Sequence, residues 1–211
     1  MKTESLIRAL AVDGARPVMP ISRSLLNAGA VGVVLSGLLF VATLHPRVDL
    51  RDVLFTFGFS FKLIVALALV VTTAAVLADV ARPVAGFRRY RGLLLAPALL
   101  AVAVVAELSL TPGRFWLQRL TGYDASHCLT LIPMLSVAPA SCLLIALKHG
   151  APRHPALAGA IAGLLAGGVG AALYALTCPN DSPLFVATWY STAMALVTSA
   201  CAWTGHRFLR W

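Results

Sequence analysis

Six apolar runs, each long enough to cross a bilayer, dominate this sequence and leave little else to fold. A spanning helix needs about 20 mostly apolar residues. The runs cover residues 25–44, 55–78, 93–110, 128–147, 157–178 and 184–203. Short segments rich in proline, glycine and charge separate them: HPRVDLRD, ARPVAGFRRYRG, TPGRFWLQRLTGYDASH, KHGAPRHP and CPNDSP. The longest pieces outside the runs are residues 1–24 and the loop 111–127. Neither is long enough to bury a core, since chains below about 40 residues rarely fold alone. The predicted fold class is therefore an all-α integral membrane protein. Residues 25–211 form a six-transmembrane-helix bundle behind an N-terminal segment, 1–24. That segment is polar and mixed (MKTESLIRALAVDGARPVMPISR), so the first run is read as a mature helix and not as a cleaved leader.

Composition excludes the soluble alternative. The chain is 59% hydrophobic and only 12% charged, against about 45–50% and about 25% in soluble domains. The net charge of +9 would point to nucleic acid in a soluble protein. Here the cations set topology instead. Alternate segments hold Lys2, Arg8, Arg16, Arg23, Arg82, Arg88, Arg89, Arg91, Lys148, Arg153, Arg207 and Arg210, twelve in all. The other loops hold four, Arg47, Arg51, Arg114 and Arg119. The positive-inside rule then places both termini in the cytoplasm. The FRRYR cluster is read as a stop-transfer signal and lipid-headgroup anchor. Phe115, Trp116, Leu117 and Leu120 read as an interfacial patch on the outer face.

Several features lie within the runs. Gly159, Gly163, Gly167, Ala171 and Ala175 recur every four residues and share one helix face. Such a face packs closely on a neighbouring helix, with homodimerisation as the lesser alternative. Pro97, Pro133 and Pro139 each remove a helix donor and are expected to kink their helices. Lys62 and Glu107 are costly in lipid. A rise of 1.5 Å per residue places both in the outer leaflet at similar depth. They are expected to form an intramembrane ion pair, or each to snorkel to the interface.

Four cysteines occur, Cys128, Cys142, Cys178 and Cys201, with no CxxC and no zinc-finger spacing. Cys128 opens the fourth run and Cys178 closes the fifth. Consecutive helices are antiparallel, so both thiols fall at the same, outer end. His127 precedes Cys128, and Asp124 and Asp181 flank the pair. Two chemistries suit this layer. The thiols could close a disulfide, given an oxidising outer compartment. Alternatively Cys128 and Cys178, with His127, could bind a soft metal ion. A permanent structural disulfide, or two unrelated buried thiols, is the plainer reading. Cys142 and Cys201 read as packing residues.

The block from His127–Cys128 to Trp189–Tyr190 is distinctive. It includes Leu131-Ile132-Pro133, the Gly-Ala-Pro and Leu-Ala-Gly-Ala stretches, and Cys178-Pro179. Together with the opening ESLIRALAVD and Arg16-Pro17-Val18, it resembles the NrsF-type membrane anti-sigma factors. The resemblance spans nearly the whole chain. It implies a six-helix bacterial inner-membrane protein that is not an enzyme and needs no obligatory cofactor. It implies an extracytoplasmic-function sigma factor as partner, with the bilayer as the other contact and no direct nucleic acid. Cys128 and Cys178 match the family's two characteristic cysteines, and residues 1–24 its cytoplasmic segment.

Within that segment Leu6, Ile7 and Leu10 form a short apolar face, with Thr3 as a cap. The helix is too short to be stable alone. It is expected to order on the sigma factor, or else to rest on lipid. The expected function is to sequester a sigma factor and release it on a thiol-directed signal, metal or oxidant, sensed at the cysteine pair. The rivals are a small transporter using Lys62 and Glu107, and a thiol–disulfide enzyme that lacks CxxC.

Overall fold

The computed structural model describes residue 3 and residues 20–47, 49–81, 87–123, 125–150 and 152–210. Leu6, Ile7 and Leu10 of the N-terminal segment, and Asp124 beside the thiols, lie outside them. The described residues are helical and contain no strand. Six helices are long and apolar enough to cross a membrane. They are α1 (Ile21–Thr43), α2 (Phe57–Val80), α3 (Leu95–Leu110), α4 (Ala125–Lys148), α5 (Pro155–Ala175) and α6 (Pro183–Phe208). A 3-10 segment, Phe87–Leu94, leads into α3. A π-helical turn, Val186–Tyr190, widens the start of α6. Pro155 and Pro183 stand in first turns, where a missing N–H costs nothing.

The helix ends lie within a few residues of the apolar runs; α1 starts earlier, at Ile21, and α6 runs on to Phe208. The fifth run was expected to carry Cys178 at its helical end, but α5 stops at Ala175. Leu176 to Cys178 close in a turn, with the Cys178 N–H donating to the Tyr174 carbonyl at 3.0 Å. Pro179 is the reason, because the residue before proline is pushed out of the helical region.

α5 is the centre of the bundle. Of its most apolar stretch 67% is buried, against 6% for α3. Its glycines let three neighbours approach. A Cβ on Gly163 would stand 2.6 Å from the Cβ of Cys201 on α6. On Gly168 it would meet Val70 of α2 at 3.0 Å, and Gly170 abuts Ser136 of α4. Close backbone approach is what small residues provide in lipid. Gly159, Gly163 and Gly167 are thus covered by α6 of the same chain, which leaves that face no room for homodimerisation.

α1 packs on α4 through a proline. Pro139 has no N–H, so the Leu135 carbonyl four residues back loses its helical donor. Ser36 of α1 supplies one, donating to that oxygen at 2.6 Å. Gly32, one turn earlier, lies against Pro139 itself. α4 runs as one helix through Pro133 and Pro139. Pro97 falls in the first turn of α3, where it interrupts no bond and marks the change from 3-10 to α winding.

Antiparallel succession gives the bundle two ends. The starts of α2, α4 and α6 and the ends of α1, α3 and α5 form the end that carries Cys128 and Cys178. The other end joins Ile21, Gly150, Pro155 and Gly205.

Candidate functional site

Cys128 lies in the first turns of α4 and Cys178 just beyond α5, and both are buried. Both belong to one buried cluster. All four cysteines are reduced. Around the pair pack Phe40, Ile132, Tyr174, Phe185 and Tyr190. Consecutive elements bring the thiols together: α4 carries one in, α5 carries the other back, and Pro179 turns it over the helix end. The Tyr190 hydroxyl is buried against Cys178 without a hydrogen bond of sound geometry.

Charged side chains hold the Cys178 loop in place. Lys62 Nζ, buried, donates to the Cys178 carbonyl at 3.0 Å, to the Asn180 carbonyl at 3.2 Å and to Asp181 Oδ1 at 2.7 Å. Arg47 Nη1 reaches the other oxygen of Asp181 at 3.1 Å, while its Nε binds Asp49 at 2.7 Å. Gly58, in the first turn of α2, lets the loop sit close, since a Cβ there would come 2.9 Å from the Asp181 carbonyl.

The expected Lys62–Glu107 pair is therefore corrected. Equal depth does not fix which way a side chain faces around its helix, and Lys62 faces the Cys178 loop. Glu107 has other partners: Arg119 Nη1 at 2.8 Å, Ser182 Oγ at 2.7 Å and the Leu184 N–H at 2.8 Å. It caps the start of α6 from a neighbouring helix, where an N-terminus favours a carboxylate.

These charges act on one another. The hydrogen bonding that Arg47 donates to Asp49 is the largest influence on Arg47 and raises its pKa, and it lowers that of Asp49. The Cys178 thiol, outside the spanning segments, is held below the ordinary thiol range. The neighbouring Cys128 is the main cause, the Lys62 ammonium a further one, and burial opposes both. Thiolate is the nucleophilic and metal-binding form of cysteine, and the nearby ammonium favours it at Cys178. A pocket of about 470 Å³ lies over the loop, lined by Gln118, Arg119, Tyr123, Asn180 and Asp181 among others. The buried Nδ2 of Asn180 has no partner.

His127 is exposed on α4. Among the described residues no group of three or more His, Cys, Asp or Glu side chains is arranged to hold a metal, so His127 is not gathered with the two thiols. The two sulfurs, in one buried cluster, are donors of the kind a soft ion takes. Cys142 lies in α4 and Cys201, buried, in α6, away from the pair. Sequence reading missed Arg47, Tyr174 and Tyr190 as parts of the site. It noted Asp181 only as a flanking acid, although this loop carboxylate was available to Lys62.

Residues 10–211 match the family described as NrsF, negative regulator of sigma F. The chain belongs to the NrsF family. It is 32% identical over its whole length to the anti-sigma-F factor NrsF of Caulobacter vibrioides, and the alignment spans all of that protein. It is 34% identical, again over the whole of both chains, to a probable anti-sigma-F factor NrsF of Azospira oryzae. No solved structure matches the chain. The NrsF match begins at residue 10, so Leu10 falls inside it and Leu6 and Ile7 precede it.

Proposed function

We propose that this NrsF-family chain is an anti-sigma factor of the bacterial inner membrane, with both termini in the cytoplasm. It holds an extracytoplasmic-function sigma factor inactive and releases it when a thiol-directed agent reacts at Cys128 and Cys178. The full-length likeness to anti-sigma-F factors carries the regulatory half of this reading. Six spans and the twelve-to-four split of basic residues support the topology. Residues 1–24, with Leu6, Ile7 and Leu10 as the apolar face, supply the sigma-factor contact.

The placement of both buried thiols in one cluster at the same end of the bundle supports the sensing half. An oxidant that removes two electrons and two protons would join the sulfurs. A soft metal ion would bridge them with loss of their protons. Either event acts on the loop that Lys62 and Glu107 hold, and so on the starts of α2 and α6. A full swing between holding and releasing states requires about 5.5 kcal/mol of differential stabilisation, within reach of metal–thiolate bonding. The transporter alternative loses its motif, because Lys62 and Glu107 each have other partners in the same loop region.

The test is regulon induction under oxidant or soft-metal stress in Cys128→Ser and Cys178→Ser strains. Each substitution should abolish induction while repression in unstressed cells persists. Normal induction in both would defeat the sensor reading. Separately, the full-length protein should capture its sigma factor, and Leu6→Asp with Leu10→Asp should lose it.

A further inference from the structure

Among the described residues, Lys62 is the charged side chain that bonds the main chain at a thiol. Its Nζ donates to the Cys178 carbonyl at 3.0 Å and to the Asn180 carbonyl at 3.2 Å, and Asp181 Oδ1 completes the set at 2.7 Å. The ammonium is 1% exposed, and charged hydrogen bonds in so dry a place are strong and directional. The two cysteines differ in freedom. Cys128 is fixed within α4, a helix of 24 residues. Cys178 stands in the turn beyond α5, and its carbonyl is bonded by a side chain. A disulfide holds its sulfurs about 2.05 Å apart, closer than two unbonded thiols can stand. Joining the pair therefore shifts the Cys178 turn more than α4, and Lys62 grips the residue that shifts.

α2 decides where that grip leads. Lys62 lies near its start, while Val76, Leu77 and Val80 near its end are buried with Leu25, Leu147 and Leu209 at the opposite end of the bundle. From Lys62 to Val80 is about 27 Å of continuous helix, a rigid element of the kind that carries coupling between sites. The other ties to the loop lead elsewhere. Arg47, beyond α1, uses its side chain on Asp181 and Asp49. Glu107 bonds Ser182 and Leu184 from α3. Only 6% of the apolar stretch of α3 is buried, so its movement reaches little of the core.

We propose that Lys62 is the coupling residue of the thiol site, through which a change at Cys178 displaces α2 and reaches the opposite end of the bundle. This role rests on the thiol-sensing function proposed above and supplies its first step.

The test treats cells carrying the full-length protein with diamide, which takes two electrons and two protons as the sulfurs join. Peptide mass spectrometry counts the joined pair, and transcript levels report the genes of the sigma factor. Lys62→Met with Asp181→Asn removes the grip without leaving a buried charge unpaired. Repression in untreated cells and joining of the thiols should both persist, while induction falls at least about fivefold, the lower end of ordinary coupling between sites. Lys62→Gln with Asp181→Asn is a smaller change and should act in the same sense. Arg47→Gln loosens the loop without releasing the Cys178 carbonyl and should leave induction unchanged. Full induction in both Lys62 variants overturns the role. So does loss of repression in both, which would make Lys62 a support of the resting fold, or failure of their thiols to join, which would place its action in the chemistry. An equal loss of induction in Arg47→Gln overturns it too. In the unaltered protein, thiols that do not join, or that join without induction, would defeat the sensing function itself, a different failure.

Discussion

The two ends of the bundle are joined by different forces. At the thiol end, charged groups bind loop to helix: Lys62 to Asp181, Arg47 to Asp181 and Asp49, Glu107 to Arg119 and Ser182. Bonds to backbone carbonyls add to this, from the Arg47 backbone N–H to Leu176 at 3.2 Å and from the Trp189 indole Nε1 to Leu120 at 2.8 Å. At the opposite end shape dominates. Gly205 lies against Gly159 and Pro155, Gly150 lies on Ile21, and Lys148 Nζ sits 4.3 Å over the Phe208 ring. Directional bonds between charges in a dry site resist small displacements, whereas packed small residues resist only approach. The thiol end is thus suited to register a local chemical event, and the other end to change its packing in response.

The largest effect should come from breaking the buried pair at the thiol end. Asp181→Ala leaves the Lys62 ammonium buried with carbonyls alone, a loss of about 3–5 kcal/mol. It should appear as a large drop in unfolding midpoint in detergent, with Lys62→Met restoring part of it in the double variant. Full additivity of the two changes would mean that the pair does not couple.

At the other end, Gly159→Val should cost about 1–3 kcal/mol by overpacking against Cys201 and Gly205, and thermal unfolding measures it. Thiol reactivity at Cys178 should stay unchanged in that variant, as counted with a thiol reagent. A parallel loss of reactivity would show the two ends to be less separate than they look. Ser36→Ala removes one bond to the carbonyl freed by Pro139 and should cost about 0.6–1.7 kcal/mol, read in the same unfolding assay. The smallest effect belongs to Arg119→Gln. Its guanidinium is half exposed, and such pairs contribute at most about 1 kcal/mol.

The six long helices were legible because their apolar runs are long and unbroken, and because loop residues cluster where helices end. The Gly159–Gly163–Gly167 face was legible too, since a four-residue repeat fixes a helix side. That Cys128 and Cys178 fall at the same end of the bundle followed from antiparallel succession, whereas their distance apart did not. What the sequence hid was azimuth. Lys62 and Glu107 match in depth, yet depth does not say which neighbour a side chain faces, and each found a partner in the 181–184 region. The end of α5 was also misplaced, because apolar content continues to Cys178 while Pro179 ends the helix locally.

The Lys62–Asp181 contact joins residues 119 positions apart, and that separation has a bearing on biogenesis. At about 5–20 residues per second, the ribosome makes the ammonium roughly 6–24 s before its carboxylate. Until then the second hydrophobic segment carries an unneutralised cation. A nascent chain cut short before Asp181 would lack the carboxylate that neutralises Lys62 in the finished fold.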